Sequence, residues 1–113
     1  MTSAFAHYEI EVLKFLLRHN GPFQELSDVL EQSESINIEY TGYGFFSTAT
    51  NSQFGNERQV YSDPLICVKT DEHTASFVAF LENSELTLET FPVNGIPLPP
   101  DFRDRHVTLE YPR

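Results

Sequence analysis

The residues of this chain that could do chemistry are few. Asp71-Glu72-His73 is the densest cluster, because an imidazole beside carboxylates can serve as a base or a metal ligand. Yet neighbours on a turn rarely aim at one point, and no second His lies at ligand spacing. The plain reading is therefore a solvated turn between two strands. Cys67 is the single cysteine, so an internal disulfide is excluded. With His73 or His106 it could form a thiol–imidazole pair. Its flanks Leu65, Ile66 and Val68 instead predict a small buried thiol. Gly42-Tyr43-Gly44 has the start of a dinucleotide-binding pattern, but it lacks the third glycine and the following helix that make an anion site. It reads as a tight turn, with Tyr43 exposed at its tip. No metal site, cofactor site or catalytic constellation emerges, and the reading leans away from an enzyme.

Charge is more informative. Seventeen acids stand against seven bases in 113 residues, a formal net charge of −10. Nucleic acid is an unsuitable ligand for such a chain, since nothing basic is clustered to neutralise phosphates. Glu25, Asp28, Glu31 and Glu34 gather in one region, and Asp71 and Glu72 in another. Scattered acids ordinarily serve solubility. Here they also suggest a surface that steers a basic protein partner. The expected partner-binding residues are Glu25, Asp28, Glu31, Tyr43, Asp71, Glu72 and His73.

These residues need a scaffold, and the hydrophobic pattern supplies one. Ser76 to Phe91 holds an apolar run, Phe77 to Leu81, followed by alternating Leu86 and Leu88. The two halves read as a hairpin reversing at Asn83-Ser84, with the first strand central and the second half exposed. Upstream, Phe5, Tyr8, Val12, Leu13, Leu16 and Leu17 form one helical stripe that Ser3 or Thr2 could cap. His19-Asn20-Gly21-Pro22 ends it. Phe23, Leu26, Val29 and Leu30 predict a shorter second helix, with Glu25 and Asp28 on its outer face. Ile36, Ile38 and Tyr40 alternate as a strand, and Phe45 to Ala49 form another. Thr50 to Pro64 reads as a long surface loop pinned by Phe54, Val60 and Tyr61. Leu65 to Thr70 forms a further strand, and Val107, Leu109 and Tyr111 the last. Four prolines between Pro92 and Pro100 exclude helix and central strand, so that stretch is extended.

The expected architecture is a single α+β domain over residues 1–113. Two N-terminal helices pack on one face of a mostly antiparallel sheet of five to six strands. The connections are too short for parallel crossovers, with the loop after Ala49 the only one that has the length. No secretory leader and no run of the ~20 apolar residues needed for a membrane span are visible, which predicts a cytoplasmic location.

Glu39-Tyr40-Thr41-Gly42-Tyr43-Gly44-Phe45-Phe46 resembles the motif of a group of small bacterial proteins without an established activity. In that group two N-terminal helices precede a strand ending T-G-x-G-F-F. Glu72 to Phe80 is similar to a later strand pair of the group, with Thr74 where its pattern has glycine. The resemblance spans most of the chain, though the Thr50–Pro64 loop and the proline-rich stretch have no counterpart in it. It implies an α+β fold and a bacterial cytoplasm, and it transfers no catalytic residues. Size and charge are also similar to those of toxin-neutralising immunity proteins. The leading expectation is a non-enzymatic acidic binding protein, an immunity-like inhibitor of a basic partner. The alternative is a small enzyme or ligand-binding domain with a pocket between sheet and helices, using His73 or Glu39. A homodimer paired through a sheet edge is a third expectation.

Overall fold

The computed structural model describes residues 5–20, 35–51, 54–62, 66–105 and 107–111. The second helix expected from Phe23 to Leu30 lies outside these residues, as do Glu25, Asp28 and Glu31. The fold is α+β: among the described residues one N-terminal helix packs against a seven-stranded, mostly antiparallel open sheet.

Helix α1 spans His7–Asn20. Its stripe is the one the periodicity requires: Phe5, Tyr8, Val12, Leu13, Leu16 and Leu17 are all buried. Each such leucine contributes roughly 1.5–3 kcal/mol through burial. The helix begins differently from expectation. The Ala6 carbonyl accepts from the amides of Glu9 (3.0 Å) and Ile10 (3.2 Å), so Ala6, rather than Ser3 or Thr2, holds the capping position. Alanine has no oxygen to offer there. Glu9 instead reaches back to accept from the Ala6 amide at 2.7 Å, which is half of a capping box.

Seven strands follow: β1 (Ser35–Tyr40), β2 (Phe45–Thr50), β3 (Gln59–Tyr61), β4 (Cys67–Lys69), β5 (Thr74–Glu82), β6 (Glu85–Pro92) and β7 (Thr108–Glu110). Their order across the sheet is β1-β2-β6-β5-β4-β7, with β3 pairing β5 beside β4. The β5–β6 hairpin is the centre, reversing through Asn83 (φ 53°) and Ser84 (φ 63°). Both torsions are positive, the twist that a two-residue hairpin demands. The second strand keeps the expected alternation, with Leu86, Leu88 and Thr90 buried and Thr87, Glu89 and Phe91 half-buried, and it is interior in the sheet because β2 pairs with its far side.

One face of the sheet meets α1. It carries Phe45, Ser47 and Ala49 from β2, Leu86 and Leu88 from β6, Ala75, Phe77, Ala79 and Leu81 from β5, and Val68 from β4. The period-two alternation explains one correction. Val68 takes the core position opposite Ala75, so Cys67 turns to the other face and is half-buried, not buried.

The stretch from Thr50 to Pro64 is also corrected. Gln59–Tyr61 forms a strand on the end of β5, which raises the strand number above the expected five to six. Phe54 and Tyr61 are buried, but Val60 alternates outward and is exposed. The segment after β6 was expected to be extended throughout; instead it bends over residues 93–95, with Gly95 at φ 77°, and residues 96–99 are neither helix nor strand. Pro92 itself ends β6 opposite Ala75, beyond the last β2–β6 pair (Phe45 with Thr90), so its missing N–H interrupts no ladder. Farther on, Leu98 and Phe102 plug the core, and Phe102 opens a single 3-10 turn to Asp104.

Candidate docking surface

Two turns and one strap meet at the same end of the sheet. The first turn is the β1–β2 connection. Thr41 Oγ1 accepts from the amides of Gly44 (2.9 Å) and Tyr43 (3.3 Å), a side chain standing in for backbone. Its two glycines serve different needs. Gly42 sits at φ +86°, a region that side chains avoid. Gly44 lies so close to β6 that a Cβ there would fall 2.1 Å from the Thr90 carbonyl oxygen. The turn lifts Tyr43 into solvent, where it is 49% exposed.

The second turn joins β4 to β5. The Thr70 amide donates to the His73 carbonyl at 2.9 Å, and the His73 amide donates to Thr70 Oγ1 at 3.1 Å. Asp71 and Glu72 project outward and are exposed. His73 does not join them. Its ring turns toward the core, edge-on to Phe102 with centroids 6.3 Å apart, and its Nδ1 is buried without a hydrogen-bond partner. The expectation of a solvated turn is thus right for the two acids and wrong for the imidazole, because Phe102 offers it an apolar seat.

The proline-rich strap joins these turns. The Val93 amide donates to the Thr74 carbonyl at 3.0 Å, beside the second turn. The Leu98 amide donates to the Tyr43 carbonyl at 2.8 Å, and the Leu98 carbonyl accepts from the Tyr40 hydroxyl at 2.6 Å. Between these anchors Val93 and Ile96 point outward, about half exposed. Tyr43, Ile96 and Val93 are therefore exposed apolar side chains at the end of the sheet that also carries Asp71 and Glu72. Sequence reasoning named Tyr43, Asp71 and Glu72 separately. It missed Val93 and Ile96, which were read only as parts of a connection.

Beside the two acids an open groove of about 740 Å³ is lined by Lys69, Thr70, Asp71, Glu72, Arg105 and Glu110, among others. Its cations are already engaged: Lys69 lies 3.1 Å from Glu110, and Arg105 lies 3.1 Å from Asp101. The same holds for every Lys and Arg whose side chain is described. Lys14 stands 3.9 Å from Glu11, Arg58 3.8 Å from Glu82 and Arg103 2.8 Å from Glu9. Glu39, Glu57, Asp71, Glu72, Glu85 and Asp104 are exposed and make no such pair among the described residues. The charge left over at the surface is negative.

A buried ionic cluster among the described residues was invisible to sequence reasoning. Glu9, fully buried, accepts from Arg103 Nε (3.0 Å) and Nη2 (2.8 Å), and from Ser47 Oγ (2.7 Å). Burial works to lower the Arg103 pKa, but the hydrogen bonds and charge of Glu9 outweigh it and the net shift is upward. Every Glu9 oxygen is engaged by these groups and the Ala6 amide, and solvent has no access to it, so the cluster ties elements together and presents nothing to a substrate. Comparison with protein families, with curated proteins and with solved structures finds no match for this chain.

Other combinations are not assembled. Cys67 faces away from the core, whereas the half-buried His73 packs its ring on the other side against Phe102, and His106 lies outside the described residues. Among the described residues no three His, Cys, Asp or Glu side chains converge as a metal site. The interface between α1 and the sheet is filled by Val12, Leu13, Leu16, Leu17 and Phe77. No described helix is long and apolar enough to cross a membrane.

Proposed function

We propose that this is a non-enzymatic acidic binding protein of the bacterial cytoplasm, an immunity-like inhibitor that covers a basic protein partner. The observation that carries this reading is the shared end of the sheet: the strap and turns there expose Tyr43, Ile96 and Val93 together with the carboxylates of Asp71 and Glu72, which are unpaired among the described residues. Interfaces favour an aromatic anchor at an apolar centre with charge at the rim. Carboxylates without internal partners complement Lys and Arg on the other side, which speeds encounter and excludes acidic competitors.

The test uses the basic product of a neighbouring gene as the candidate partner. Binding is expected to weaken as salt rises, because the Debye length falls from ~10 Å at 0.1 M to ~3 Å at 1 M. Reversing the rim with Asp71→Lys and Glu72→Lys should slow association by about tenfold or more. Tyr43→Ala should act instead through faster dissociation. Affinity that ignores ionic strength, or variants that bind like the parent, would count against the proposal.

A further inference from the structure

We propose that the outer edge of β1 pairs with the same edge of a second copy, joining two sheets into one antiparallel ladder. β1 ends the sheet, and among the described residues nothing pairs with its far side. Its six residues, Ser35 to Tyr40, match β2 one to one without a bulge and include no Pro, so two of the devices that usually blunt an open edge are absent. Its one charged side chain is Glu39.

The direction of each backbone group follows from the hairpin. The Thr41 amide donates to the Gly44 carbonyl at 3.0 Å, so that pair is hydrogen-bonded across the turn. Bonded and non-bonded pairs alternate along an antiparallel ladder. Hence Glu39 with Phe46 and Asn37 with Thr48 are bonded pairs, directing their backbone groups to β2. Ile36, Ile38 and Tyr40 direct theirs outward.

A two-fold axis at Ile38 uses all of these groups. Ile38 faces Ile38, and Ile36 faces Tyr40 of the second copy, so three consecutive bonded pairs form. The positions between them are the closely spaced, non-bonded kind. There Asn37 faces Glu39 of the second copy, twice by symmetry. Both side chains are exposed and lie on the face away from the core. An amide donor opposite a carboxylate acceptor makes the edge self-complementary. It also keeps each Glu39 from standing directly opposite its own copy, the arrangement that would oppose pairing.

The two copies carry like net charge, so this association should strengthen as salt rises, the opposite of binding to a basic partner. Analytical ultracentrifugation of the full chain at low and high salt tests the idea. The expected result is a monomer–dimer equilibrium favoured by salt and by concentration. Asn37→Glu sets carboxylate against carboxylate twice and should weaken the dimer by roughly tenfold. Asn37→Lys sets ammonium against Glu39 and should tighten it. Asn37 is exposed, so neither change should alter the melting temperature of the monomer. Amide exchange should slow at Ile36, Ile38 and Tyr40 as the dimer forms. A chain that stays monomeric at every concentration and salt overturns the proposal. So does a dimer indifferent to both Asn37 variants, or one whose new protection falls on β7.

Discussion

At the scale of single residues, Glu9 is the most consequential side chain in this protein. It caps its own helix, accepts from Ser47 on β2 and clamps Arg103 in the 3-10 turn. Three elements distant in sequence thus share one carboxylate. Glu9→Gln removes the charge while keeping the shape, and takes the two-point carboxylate away from the partly buried Arg103 guanidinium. A loss of about 3–5 kcal/mol is expected in urea unfolding, since breaking a buried pair from one side costs that much. Tyr8, its neighbour, behaves oppositely. Its hydroxyl is buried without a hydrogen-bond partner, and burial, then the Glu9 charge, push its pKa upward. The fold therefore favours neutral Tyr8. The resulting stability is complete below the unfolded tyrosine pKa of ~10 and drains away as pH rises above it. Tyr8→Phe should match or exceed the parent by about 1 kcal/mol at neutral pH. It should also lose less stability above pH ~10 in a series of urea midpoints. Some alkaline loss should persist, because burial raises the Tyr61 pKa as well.

At the scale of elements, the β5–β6 hairpin sets the pairing register for its three neighbours, β2, β3 and β4. Its turn holds two non-glycine residues at positive φ. Ser84 is the less suited, since only glycine and, to a lesser degree, Asn and Asp adopt that region readily. Ser84→Gly creates the Asn-Gly pair that such turns prefer, at the cost of one long hydrogen bond to Asn56 (3.4 Å). A gain of about 0.5–1 kcal/mol in the urea midpoint is expected. The proline-rich strap is the other element whose role depends on position. It is stiff, so fastening it at Thr74 and Tyr43 leaves Val93 and Ile96 with nowhere to turn but outward.

At the scale of the whole molecule, charge is the organising quantity. The described cations are spent on internal pairs, so the long-range field outside the fold is set by carboxylates. Two proposed associations then respond to salt with opposite sign. Binding of a basic partner at the sheet end that carries Tyr43 and Glu72 should fade between about 0.05 and 0.5 M salt, while β1 pairing should grow. Measuring both on one preparation separates them, because each has its own silent variant. Asp71→Lys and Glu72→Lys should leave the β1 dimer in place, and Asn37→Glu should leave partner association rates within about twofold.

The sequence by itself determined the class of fold, for a local reason. Burial periodicity is written residue by residue, so the α1 stripe and the alternation in β1, β2 and β6 were legible without coordinates. Asn83-Ser84 as a reversal and Tyr43 at a turn tip were legible too, because torsional tolerance belongs to the residue itself. Short strands such as Gln59–Tyr61 were not legible. Three residues carry too little period to be distinguished from loop, and only the free end of β5 made them a strand. The depths of Cys67 and His73 were misjudged, and that of Phe102 was not legible, since burial depends on which neighbour arrives from elsewhere. The Glu9–Arg103 clamp and the grouping of Tyr43 with Asp71 were decided by tertiary structure alone. Their members are far apart along the chain, and they come together only once the sheet has brought its turns to one end.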